Sequence, residues 1–204
     1  MDLWTYKTED SFSAMLCNAP NLCSKSILGA DKISAMLMRE CVDFISGPIC
    51  DIFKKYLNSG VFPRDWKSAR VTPLFKQGER TDFNNYRPIS VISVVAKVLE
   101  RIVYDQLHDY LLKENILSEH QSVFGPIHLT TTALLEAADC WAYNIDRGLL
   151  NAVVFLDLKK AFHTTDHEVI LSKMSVYGIQ DAKYNWFKSY LENRTQKCMF
   201  NDSL

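Results

Sequence analysis

Apolar positions recur at three- and four-residue steps over several stretches of this chain, and each such stretch predicts a helix with one buried face. The first is marked by Ile33, Met36, Leu37, Cys41, Phe44 and Ile45. Gly47-Pro48 interrupts that pattern, and Pro48 suits the first turn of a second helix carrying Ile49, Ile52, Phe53 and Leu57, which Asn58-Ser59-Gly60 ends. A longer helix is predicted over 91–113, with Val94, Val95, Val98, Leu99, Ile102, Val103, Leu107, Tyr110 and Leu111 inward and Lys97, Arg101, Asp105 and Asp109 outward. Another starts near Thr130 and Thr131, turns Ala133, Leu134, Ala137, Ala138, Trp141 and Ile145 inward, and stops at Asp146-Arg147-Gly148. Two more, over 166–177 and 182–191, flank Gly178-Ile179.

Strand signals are fewer. Residues 69–75 read as one strand, with Pro73 placing it at an edge or bulge, and the polar stretch 77–85 reads as the loop after it. Residues 152–157 form a continuous β-branched and aromatic run, the pattern of a strand buried on both faces. Residues 195–200 begin a further strand, while 1–28 show no firm period and are irregular or weakly helical. There is no internal repeat, low-complexity tract or clear linker.

Composition narrows the class. With 204 residues, 48% hydrophobic and 12% aromatic, the chain is globular rather than disordered. No apolar run approaches a membrane span and the N-terminus lacks a signal-peptide layout, so an intracellular location is expected. The six cysteines are scattered, without a C-x-x-C pair or nearby histidines, so free, mostly buried thiols are expected and a zinc site is not. The net charge of −1 is unevenly spread. Residues 54–90 hold eight basic groups (Lys54, Lys55, Arg64, Lys67, Arg70, Lys76, Arg80, Arg87) against Asp65, Glu79 and Asp82, a local +5. Such a patch suits a phosphate-handling site, or equally a solvated charged face.

The run at 152–157 delivers one carboxylate, Asp157, at its end. Burying an unpaired carboxylate is costly, so Asp157 sits either at an exposed strand end or beside a cation. The continuation narrows the choice. The stretch VVFLDLKKAFHTTDH resembles the first catalytic motif of reverse transcriptases in the form carried by non-LTR, LINE-like retrotransposons, a hydrophobic strand and then FLDLSKAFDTVDH. Asp157, Leu158, Lys160, Ala161, Phe162, Asp166 and His167 match it without a gap. Upstream, GADKIS resembles the family's GPDGIS helix start, and the P-x-x-W-K…K…NYRPIS arrangement resembles its fingers motif.

The resemblance implies a mixed α/β, helix-rich chain: an irregular segment 1–28, a fingers-like region 29–150 and an incomplete palm 151–204. It implies an RNA-directed DNA polymerase fragment acting on an RNA template, a DNA primer and a deoxynucleoside triphosphate. Lys76 and Arg87 are then the cations on the triphosphate, a role that the bidentate guanidinium suits on chemical grounds alone. Asp157 and the Leu158 carbonyl are Mg2+ ligands, Asp157 being the catalytic carboxylate, and Phe162 is the steric gate against a 2′-hydroxyl.

The chain departs from the pattern in places. His163 stands where Asp is usual. The loop near 121–130, close to QSGFRPGHST in the family, has Val123, Gly125 and Ile127 where Gly, Arg and Gly are usual, although His128 survives. No Asp-Asp pair occurs in the 204 residues, so the second carboxylate motif is missing and this polypeptide alone is expected to be inactive. Two other readings are a non-catalytic remnant that binds nucleic acid or protein through the 54–90 window, and an unrelated metal-dependent α/β enzyme, which leaves NYRPIS unexplained.

Overall fold

The computed structural model describes residues 29, 31–118, 130–158, 161 and 164–198. Helix α1 (Ala35–Glu40) leads into α2 (Val42–Ser59), and a 3-10 turn (Arg64–Lys67) feeds strand β1 (Ser68–Phe75). A second short turn (Phe83–Asn85) precedes β2 (Tyr86–Val91), followed by α3 (Val94–Lys113), α4 (Thr130–Asp146), α5 (His167–Val176), α6 (Asp181–Leu191) and β3 (Thr195–Cys198). Residues 29–108 and 167–198 make one compact unit and 109–166 another. Among the described residues no helix is long and apolar enough to cross a membrane.

In the first unit, Ser34 caps α1, accepting from the Leu37 N–H at 3.1 Å, and Asp31 just before it accepts from the Ser93 hydroxyl. The helix predicted over 33–45 breaks at Cys41 instead, and α2 runs through Gly47-Pro48 without interruption. A proline costs an internal helix its N–H and crowds the carbonyl four residues back. Here Pro48 and Phe44 both lie on the solvent side, Phe44 at 85% exposure, so the ring does not press into the core. Gly60 ends α2 in the left-handed conformation at φ +67°, and a Cβ there would come within 2.9 Å of the Ala182 carbonyl on α6.

That close approach belongs to an aromatic cluster. Phe62 meets Trp186 and Tyr190 edge-on at 5.4 and 5.1 Å, and Trp186 stacks on Tyr190 at 5.5 Å. Phe53 and Trp66 close the other side at 6.0 Å. Phe62 and Trp186 are each 1% exposed. The Phe62 N–H donates to Ser189 Oγ at 3.0 Å, so α6 holds the chain at the entrance to β1. Trp66 also covers Ala69, Ile92 and Ala96, joining these rings to the sheet and to α3. At the far side of α6, Arg194 lies over the Tyr190 ring at 4.4 Å and reaches Glu100 of α3 at 3.4 Å.

The sheet has the order β2-β1-β3. β1 and β2 are antiparallel, from Arg70 opposite Val91 to Phe75 opposite Tyr86. β3 joins the other edge of β1 in parallel, Ser68 to Val71 beside Thr195 to Cys198. Among the described residues β1 is flanked on both sides as far as Val71 and by β2 alone after it, where Pro73 lies. The long helix starts at Val94 rather than at 91, because Val91 still belongs to β2.

In the second unit, Gly148 (φ +73°) stops α4, with the Leu149 N–H returning to the Asn144 carbonyl at 2.9 Å. Asn151 is pinned against α4 through Asn144 and the Trp141 carbonyl. Two expectations fail here. Leu134 and Ile145, assigned to an inner helix face, are 65% and 66% exposed. Residues 152–158 do not form a strand: they have no regular structure, and Val154, Phe155, Leu156 and Leu158 are 75–89% exposed. A β-prone run becomes a strand only when a neighbouring edge takes its hydrogen bonds. Among the described residues no strand offers that edge to 152–158.

Two measurements check this account. Trp186→Ala empties the centre of the aromatic cluster and is expected to lower unfolding free energy by about 3–5 kcal/mol in urea denaturation. Burial first, then the charge of Glu100, push the Tyr190 phenol up to about 12 from its ordinary value of 10.0. The unfolded chain releases this proton near 10 and the folded chain only near 12, so stability declines as pH rises through that window. Solvent screening of the partly exposed ring holds the decline to about 1–2 kcal/mol. Tyr190→Phe should abolish that component, seen as the difference between parent and variant across the window.

Candidate functional site

The β1–β2 hairpin carries the two cations that the sequence singled out. Arg87 lies in β2 directly opposite Leu74, and Lys76 follows the last residue of β1, its N–H donating to the Asn85 carbonyl at 2.8 Å. Both side chains are exposed. Side chains alternate between faces along a strand, and directly paired residues share a face. Lys76 is therefore on the face of Leu74, and so is Arg87. The structure puts these two on one surface, Arg87 within the ladder and Lys76 just past its end.

Local chemistry holds that surface clear. In the connecting loop Gly78 adopts φ +93°, and a Cβ there would press against the Asn85 side chain at 2.6 Å. Asn85 itself donates from Nδ2 to the Glu79 carbonyl at 2.9 Å, and Asp82 Oδ1 accepts from the Asn84 N–H at 2.9 Å. The Tyr86 hydroxyl donates to the Arg80 carbonyl at 2.8 Å, and the Arg80 guanidinium lies 5.2 Å from the Phe75 ring centre. Phe75 and Tyr86 occupy the face opposite Lys76 and Arg87, with rings 5.4 Å apart. The loop thus leans on the aromatic side. The residues that lock it, Gly78, Asn85 and Tyr86, had no assigned role in the sequence reading; their signals were the polar, turn-rich composition of 77–85 and, for Asn85 and Tyr86, the NYRPIS motif.

The other predicted residues are not on this hairpin. Asp157 and Leu158 lie in the second unit, both exposed on the irregular stretch 152–158. Phe162, His163 and the 121–129 loop lie outside the described residues. Among the described residues no three His, Cys, Asp or Glu side chains come together as a metal site. A pair of magnesium ions needs several oxygen ligands converging on it. Asp157 alone does not supply them, so these residues do not fit the metal centre that the motif implies. Cys41, Cys50, Cys140 and Cys198 form no disulfide, as expected, but of the four only Cys50 is buried, contrary to the expectation of mostly buried thiols.

Comparison with known proteins covers the hairpin and the residues after it. The family described as reverse transcriptase (RNA-dependent DNA polymerase) matches residues 76–203. Over 151 residues, 70% of this chain, the sequence is 32% identical to the probable RNA-directed DNA polymerase from transposon BS of Drosophila melanogaster, covering 16% of that protein. It is 29% identical to the RNA-directed DNA polymerase from mobile element jockey of the same organism, over 71% of this chain and 16% of the relative. With the Pol polyprotein from type-1 retrotransposable element R2 of Popillia japonica it shares 28% identity, over 69% of this chain and 19% of the relative. The chain thus spans less than a fifth of the length of these relatives. The family match begins at Lys76, takes in Arg87 and Asp157, and covers well over half of the sequence: this chain belongs to the reverse transcriptase (RNA-dependent DNA polymerase) family, as part of a non-LTR retrotransposon protein.

Proposed function

We propose that this chain supplies the triphosphate-gripping part of an RNA-directed DNA polymerase, with 29–150 as its fingers-like region and 151–204 as part of its palm. The observation that carries the reading is the common face of Lys76 and Arg87 on a locked hairpin. A triphosphate needs cations that reach several of its oxygens at once, and a lysine beside a guanidinium provides a point charge and a bidentate fork. Rigid backbone positions keep the two charges in place before the ligand arrives, which lowers the ordering cost of binding.

The remaining roles follow from the family motif. In the whole protein, where further carboxylates join it, Asp157 would be the catalytic carboxylate and, with the Leu158 carbonyl, would hold Mg2+; Phe162 would be the gate that excludes a ribonucleotide's 2′-hydroxyl. In the whole protein the partners are an RNA template, a DNA primer and deoxynucleoside triphosphates, in an intracellular setting. Nucleotidyl transfer needs carboxylates that this polypeptide lacks, since one acid cannot organise two metal ions.

Binding and synthesis therefore separate. Equilibrium binding of a fluorescent deoxynucleoside triphosphate to the 204-residue chain is expected, and Arg87→Ala should weaken it about 10- to 100-fold through loss of charge-assisted hydrogen bonds. Primer extension on an RNA template with Mg2+ is expected to yield no product from this chain. Triphosphate binding indifferent to Arg87 would overturn the assignment of the hairpin, and detectable synthesis would overturn the prediction of inactivity.

A further inference from the structure

Helix α2 is apolar on both sides. Val42, Cys50, Phe53 and Leu57 are buried on its inner face, whereas Phe44, Pro48 and Ile52 are exposed on the outer one, Phe44 at 85% and Ile52 at 45%. Steps of four residues place these three in one row along the helix. Just before them, α1 exposes Met36 and Leu37 at 65% and 53%. A helix at a protein surface ordinarily turns polar and charged groups outward, and one that is apolar all round is one that is covered. Clustered apolar groups left exposed mark a surface that meets another.

The charges beside the row point to its occupant. Asp43 stands near one end of α2 and Lys54 near the other, about three helical turns apart, which returns them to the same side of the row. Both are exposed. Among the described residues Asp43 enters no ion pair, and Lys54 meets Asp51 at 3.7 Å in an exposed contact of the kind that contributes little. Pro48 lies midway between Phe44 and Ile52 and close to midway between the two charges. Two copies of α2 laid side by side and antiparallel, with a two-fold axis at Pro48, therefore set Phe44 of each against Ile52 of the other. The same axis brings Asp43 of each beside Lys54 of the other. Isologous contacts require a surface that complements itself, and this one does so in its apolar row and in the sign of its charges. A parallel pair instead sets like charges at the same height along the helices.

We propose that the outer face of α2 is a contact between two copies of this chain, in which α2 packs antiparallel on α2 of the second copy with Pro48 at the axis. At 1.5 Å per residue the row from Phe44 to Ile52 is about 12 Å long. So short a row, even with Met36 and Leu37 beyond its end, belongs to the small interfaces of less than about 1,200 Å² in total. Association is accordingly weak, with a dissociation constant on the order of 10–100 µM. The hairpin cations and Asp157 take no part in this contact, which stands whether or not the hairpin grips a triphosphate.

The test is sedimentation velocity of the full 204-residue chain from about 1 to 200 µM, at about 50 mM salt so that exposed charges are felt. The parent is expected to pass from monomer to dimer across that range. Phe44→Ser should weaken association about 10- to 100-fold, since a symmetric contact loses two rings at once. Its thermal midpoint should stay at the parent's value, because Phe44 is exposed. Asp43→Lys and Lys54→Asp should each weaken self-association about 10-fold by setting like charges together. An equimolar mixture of those two variants should regain the parent's affinity, for each copy then offers the opposite sign at both contacts. A parent that stays monomeric, a dimer indifferent to Phe44→Ser, or a mixture no tighter than its components would overturn the pairing. Association abolished by Phe155→Ser instead would assign it to the exposed run 152–158 and overturn it as well. Circular dichroism reports the folding of each variant, and the charge exchange decides the matter should Phe44→Ser misfold.

Discussion

The sheet depends on the packing of Phe62 between Trp186 and Tyr190. These residues belong to segments more than a hundred positions apart, and their burial is what brings α6 against the stretch feeding β1. Large aromatic side chains contribute most to a small core, and edge-to-face contacts add direction to that contribution. Once α6 is seated, its C-terminus delivers Arg194 to Glu100 and then β3 to the free side of β1. The order β2-β1-β3 follows from this closure, with β3 beside β1 as far as Val71 among the described residues. The two prolines of the hairpin lie just past that point, opposite each other as Pro73 and Pro88, where neither is asked to donate to a third strand.

Local order was legible because its causes are local. The apolar periods of α2, α3 and α6, the glycine that ends α2 and the turn-rich stretch 77–85 need only their own residues to explain them. Boundaries were legible to within a few positions, except where two weak signals competed. At 41–48 the Gly-Pro pair suggested a break, yet Cys41 took it, since a solvent-facing proline costs a helix less than one pressed against the core. The parallel pairing of β3 was not legible at all. It depends on the aromatic cluster and on contacts of large sequence separation, which no window of neighbouring residues encodes.

The candidate site divides in the same way. Lys76 and Arg87 were found through a motif, and the hairpin register then supplies the geometric reason that a motif lacks: one face, with Arg87 within the ladder and Lys76 just past its end, and the loop turned to the other. Arg70 and Lys197, side by side across the parallel edge, were invisible as neighbours, Arg70 having been counted within a basic window and Lys197 not at all. Charge counted along a sequence does not show which residues share a face; strand register does.

Asp157 shows the converse. Its surrounding run has all the intrinsic character of a strand, and that character is why the sequence reading buried it. Intrinsic character is insufficient, however, because a strand is a relation between two edges rather than a property of one segment. Among the described residues the run finds no edge to pair with, so it lies exposed, and no metal-ligating cluster forms around its carboxylate. The cations need only a pleat, which α6 and the aromatic cluster already provide within one unit. Phosphate binding and metal-dependent transfer therefore make different demands on the fold. The first asks for cations on a shared face, which strand register provides for Lys76 and Arg87, whereas the second asks for ligands converging around Asp157, and among the described residues none converge there.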